Sequence, residues 1–166
     1  LNNEPDKWWS GPDGSGVTNV MRHFKPRAYY NYLLKAWNTI KAIAPNAKIA
    51  MGGLANTEDY YLKAIWLFAY YNNNKIMPFD AVNYHFYPSD GAQFAGTRGI
   101  SPEAYNFSAK ITQLSYWRDK YMPDKEFWNS EYGYDTNSSD KKAQYSGVSG
   151  DGDPIIQGRW LFRLVM

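Results

Sequence analysis

Apolar positions along this chain recur in two rhythms. Between Pro26 and Ala44 they return every three or four residues. Tyr30, Leu33, Leu34, Trp37 and Ile40 share one face, which predicts a helix with Pro26 in its first turn and Pro45-Asn46 as its stop. Leu62, Ile65, Phe68 and Ala69 repeat the pattern. They predict a second helix from an N-cap at Thr57 to about Tyr71, ended by Asn72-Asn73-Asn74, a residue type that tolerates left-handed backbone. Phe107, Ile111, Leu114, Trp117 and Tyr121 predict a third, running from Ser101-Pro102-Glu103 to about Tyr121. Ile156, Trp160 and Leu164 predict a fourth, opened by Asp153-Pro154. The second rhythm is the short run. Lys48–Leu54, Ala81–Tyr87 (closed by Pro88) and Glu126–Tyr132 read as strands, and Leu1–Asn3 as the end of another. Asp6–Phe24, Ser89–Ile100 and Asp135–Asp153 lack either rhythm and read as loops.

Strand and helix therefore alternate through the whole sequence. Regular alternation predicts an α/β fold whose strands run parallel, joined by right-handed helical crossovers. A doubly wound sheet and a (β/α)8 barrel both satisfy it, but no G-x-G-x-x-G follows a strand, which removes the dinucleotide-binding version. Glu4, Gly53, His85, Tyr87 and Glu131 all fall at strand C-termini or just beyond, where barrel enzymes place their chemistry. A complete barrel takes about 250 residues. The 166 residues here are thus expected to be part of a single (β/α)8 catalytic domain spanning residues 1–166, a piece of a longer protein.

Composition changes this picture little. The net charge of +2 gives no electrostatic case for nucleic acid or an anionic membrane, and no apolar run is long enough to span a bilayer. Absence of cysteine excludes disulfides and thiolate metal sites. Two histidines without cysteine do not make a zinc site, and Asp151-Gly152-Asp153 lacks the full spacing of a calcium loop. The outlier is the aromatic share of 18%, which fills cores or lines a groove where rings stack on the apolar faces of sugars.

Two carboxylates give the groove a chemistry. Asn3-Glu4-Pro5 is followed by Trp8-Trp9, and Glu131 sits in Phe127-Trp128-Asn129-Ser130-Glu131-Tyr132-Gly133. Taken singly, Glu4 reads as a solvated loop acid, Glu131 as a strand acid paired with a lysine, His85 as a satisfied core histidine and Trp8 and Trp9 as core. Taken together, a paired acid and base across a glycosidic bond is the stronger pattern. Cleavage with retention uses two carboxyl groups about 5–5.5 Å apart, one protonated to leave with the aglycone oxygen and one ionised to attack the anomeric carbon. Trp128, three positions before Glu131, is expected to pack rather than to form a sugar platform.

Asn3-Glu4-Pro5 resembles the acid/base motif that ends the fourth strand of clan A glycoside hydrolases, and Ser130-Glu131-Tyr132-Gly133 resembles the nucleophile motif of their seventh. His85-Phe86-Tyr87 resembles the His-x-Tyr of the sixth strand, and Gly52-Gly53-Leu54-Ala55 looks like the fifth-strand end of members near family 39, the chain as a whole being nearest in look to family 39 or family 5 members. The resemblance covers the chain as strand–helix units four to seven. It implies a partial (β/α)8 barrel lacking the first three units and the eighth, and a retaining glycosidase acting on β-linked carbohydrate without cofactor or metal. It assigns Glu4 as acid/base, Glu131 as nucleophile and Tyr87 as donor to the nucleophile. Asn3, His85, Trp8 and Trp9 become substrate contacts. It also implies an extracellular or periplasmic setting, with the missing part of the barrel as a possible partner. A sugar-binding barrel without catalysis, or an inactive fragment, is the alternative.

Overall fold

The computed structural model describes residues 4–6, 26–55, 59–72, 74–88, 98–134, 142–143 and 154–165. Its elements are α1 (Pro26–Ile43), α2 (Tyr60–Asn72), β1 (Ala81–Phe86), β2 (Arg98–Gly99), α3 (Phe107–Tyr121), β3 (Glu126–Tyr132), β4 (Lys142–Ala143) and α4 (Pro154–Val165). By contacts the chain divides into two compact units, residues 1–85 with 113–130 and residues 86–112 with 131–166. β1, α3 and β3 contribute residues to both. No helix among the described residues is long and apolar enough to cross a membrane.

The first unit is mixed α/β with parallel pairing. β1 is buried along its whole length, as expected for a strand covered on both faces. On one side it meets residues 50–54 through parallel bridges, Ala50 to Ala81 and Leu54 to Tyr84. On the other it pairs with β3, and Glu126 N–H donates to the Asp80 carbonyl at 2.8 Å. α1 and α2 pack together through aromatic contacts, Tyr30 on Phe68 at 5.2 Å and Tyr29 beside Tyr61 at 6.0 Å. Leu62, Ile65 and Ala69, expected on the inner stripe of α2, are fully buried; burial of a Leu or Ile side chain contributes about 1.5–3 kcal/mol. Asn74, at φ 51°, takes the left-handed backbone expected of the helix stop. The expected N-cap, Thr57, lies outside the described residues.

Two elements depart from expectation. Lys48–Leu54 forms isolated bridges rather than a continuous strand. The step from Ala50 to Leu54 is one residue longer than the facing step from Ala81 to Tyr84, so the ladder cannot stay in register. The surplus falls across Gly52-Gly53, where absence of Cβ accommodates a bulge-like offset. The third helix begins at Phe107, not at Ser101. Asn106 sits at φ 59°, a left-handed backbone that no continuous right-handed helix passes through. Residues 102–106 form turns instead.

In the second unit, Tyr134, Ile156 and Trp160 form a small buried cluster, with Leu161 packed against it. The Tyr134 hydroxyl donates to the Ile100 carbonyl at 2.9 Å, and burial pushes its pKa up. Phe86 packs against Tyr105 and Phe107. β2 and β4 pair in parallel, Arg98 with Lys142 and Gly99 with Ala143. Both lie in stretches expected to be loop throughout. Two residues carry too little hydrophobic alternation to announce a strand.

Candidate functional site

Each unit holds one of the two carboxylates. In the first, Glu4 sits at φ 47°, a left-handed backbone that costs a non-glycine residue roughly 1–2 kcal/mol. The segment is tied down two residues later, where the buried Asp6 carboxylate accepts from the Ala55 N–H at 2.9 Å. This contact carries residues 4–6 onto the end of the 50–55 segment.

His85 faces Glu4. β1 alternates its side chains, so Asn83 and His85 share one face. The imidazole is only 1% exposed, and both nitrogens are engaged. Nδ1 lies 3.1 Å from Glu4 Oε1, and Nε2 lies 3.2 Å from Oγ of the exposed Ser130 on β3. Asn83 donates from Nδ2 to Ser130 Oγ at 2.8 Å and to the Met51 carbonyl at 3.4 Å. Its Oδ1 is buried without a partner among the described residues, an unmet acceptor of the kind a bound hydroxyl or water satisfies.

Gly53 sets the position of the ring. A Cβ there would lie 2.1 Å from His85 Nε2, so the histidine occupies the space any side chain would need. The backbone carrying Gly53 is itself anchored, because Gly52 N–H donates to the Tyr29 hydroxyl at 2.6 Å. Burial pushes Tyr29 up to about 12, against the lowering effect of that N–H, so it stays a neutral phenol. At the opposite end of β1, burial pushes the Asp80 carboxyl up. The Ile49 N–H and the Lys41 ammonium outweigh burial and hold it below its ordinary range.

In the second unit the Tyr87 hydroxyl donates to Glu131 Oε2 at 3.2 Å. Gly133 stands beside this ring with room to spare, since an added Cβ would meet Tyr87 Cε1 at 3.6 Å, an ordinary contact. Gly133 N–H donates to the Phe86 carbonyl at 3.3 Å and closes the end of the strand pair.

Glu4 and His85 are thus brought together in one unit, and Tyr87 and Glu131 in the other. Asn3, Trp8 and Trp9 lie outside the described residues, as does Asp151-Gly152-Asp153. Trp128 corrects an expectation. It is 38% exposed rather than packed, and its indole N–H donates to Glu126 at 2.8 Å. Sequence reasoning missed Asn83 and Ser130. For Asn83 a signal was present, because it lies two positions before His85 on a strand. Ser130 had none, because its approach to His85 depends on the pairing of two strands remote in sequence.

Comparison with known proteins finds no matching family model, no matching curated protein and no matching solved structure.

Proposed function

We propose that this chain is part of the (β/α)8 barrel of a retaining glycoside hydrolase, cleaving β-linked oligo- or polysaccharide by double displacement. The observation that carries it is the hydrogen bond from Tyr87 to Glu131 at the end of β3. A phenol donating to a carboxylate fixes the direction of its oxygens, as an attacking nucleophile requires. Glu4 and its buried histidine neighbour give further support as the acid and a group that orients it.

In this mechanism Glu4 gives its proton to the leaving oxygen while Glu131 attacks the anomeric carbon. Glu4, now ionised, takes a proton from the water that releases the sugar from Glu131. Reducing-sugar release is measured on a panel of β-linked polysaccharides, beside pull-down on the same panel. Glu131→Ala is expected to lose at least about 10⁴-fold in kcat. Glu4→Ala is expected to lose about 10²–10⁴-fold, with azide partly restoring turnover of activated glycosides. Full activity in Glu131→Ala rejects the hydrolase, and binding without release by the wild-type protein favours a glycan-binding barrel.

A further inference from the structure

Ser130, His85 and Glu4 stand in the order nucleophile, base and orienting acid, all within the first unit. The Ser130 Oγ to His85 Nε2 distance is 3.2 Å and the His85 Nδ1 to Glu4 Oε1 distance is 3.1 Å, each at the long edge of the range in which a base activates a hydroxyl and an acid orients the base. Glycoside cleavage by Glu4 and Glu131 makes no use of the serine. The surroundings accommodate the proton pattern that such a triad needs. Asn83 Nδ2 has only hydrogens to offer and gives one to Ser130 Oγ at 2.8 Å. The serine still has its own proton to give to Nε2 in the tautomer that carries the imidazole proton on Nδ1, facing Glu4. His85 is 1% exposed and wedged against Gly53, so the ring has no freedom to turn from this arrangement, while Ser130 lies on an exposed stretch of β3.

We infer that Ser130 is an acyl-accepting nucleophile, activated by His85 and Glu4, and that the chain hydrolyses short-chain O-acyl esters. Ser130 Oγ bonds to the ester carbonyl carbon as its proton passes to His85 Nε2. The ester C–O bond then breaks, and the proton on Nε2 leaves with the alcohol. Water attacks the acyl-serine, delivers a proton to Nε2, and releases the carboxylic acid as that proton returns to Ser130. Glu4 is ionised throughout. Glycoside cleavage begins with Glu4 protonated, so the two reactions are alternatives and not steps of one cycle.

The test is labelling of the full chain with a fluorophosphonate, mapped by peptide mass spectrometry, together with release of p-nitrophenol from p-nitrophenyl acetate. One equivalent of label on Ser130 is expected. Ser130→Ala, shown folded by circular dichroism, should fall to the uncatalysed background. His85→Gln should lose about 10²–10⁴-fold in hydrolysis, and its labelling should slow in parallel. A folded wild-type protein that takes no label on Ser130 overturns the inference. So does a Ser130→Ala variant that hydrolyses the acetate at the wild-type rate, or a His85→Gln variant that labels as fast as wild type. None of these readouts depends on glycoside turnover.

Discussion

The two units solve the same local problem in different ways. Each sets an aromatic ring against a carboxylate and a glycine against the ring: Gly53, His85 and Glu4 in the first, Gly133, Tyr87 and Glu131 in the second. The first set is clamped. Its ring is buried, held at both nitrogens, and packed so closely on Gly53 that a methyl group has no place. The second is looser. Tyr87 is partly exposed, and Gly133 leaves ordinary contact distance around it. The difference matches the chemistry proposed for each. An imidazole has two distinct nitrogens and must be held in one tautomer and one orientation to serve Glu4. A phenol has one oxygen and one proton, so rotation about its bond costs little information.

The largest test of this contrast is the pair of glycine variants. Gly53→Ala is expected to lower stability by roughly 3 kcal/mol, the upper end of the overpacking range, because the ring rather than a flexible chain end must give way. Gly133→Ala is expected to stay within about 0.5 kcal/mol of wild type. Urea unfolding followed by circular dichroism measures both, and equal effects would erase the distinction between clamped and loose.

Next comes the anchor beneath Gly53. Tyr29→Phe leaves the Gly52 N–H without its buried acceptor and should cost about 2 kcal/mol in the same experiment. Smaller still is Tyr87→Phe, expected to lower kcat on an activated β-glycoside about tenfold, some 1.4 kcal/mol, with stability nearly unchanged. A loss of stability without loss of rate would make Tyr87 a packing residue.

The smallest effect concerns acid. Asp80 is held in the folded state below its ordinary value of 3.8. The folded protein therefore binds this proton less readily than the unfolded chain. The resulting stability is fully present above the ordinary value and fades as pH falls through 3.8 and towards the lower folded value. Asp80→Asn should lose on the order of 1 kcal/mol at neutral pH and show a shallower decline below that pH. An unchanged acid profile would show that the Lys41 and Ile49 contacts lend the first unit nothing.

How much was legible beforehand differs by element. The start of α1, the stripe of α2, and the start and end of β3 follow from spacing alone, because a helix face or a short apolar run is a local property. The break before Phe107 was hidden, since Asn106 adopts its left-handed backbone only in context. The irregular ladder at residues 50–54 was half visible. Its glycines announced a close approach, but not what approaches.

Sequence by itself determined which residues could carry chemistry: two glutamates, a histidine and a tyrosine, at positions that alternation of strand and helix places near strand ends. It also determined the period-two face on which Asn83 and His85 lie. Only tertiary structure decided which of them meet. Ser130 reaches His85, Asp6 reaches Ala55 and Gly53 receives the imidazole because strands far apart in the chain pair side by side. The register of that pairing is set by burial and backbone hydrogen bonds across the sheet, which no local pattern encodes.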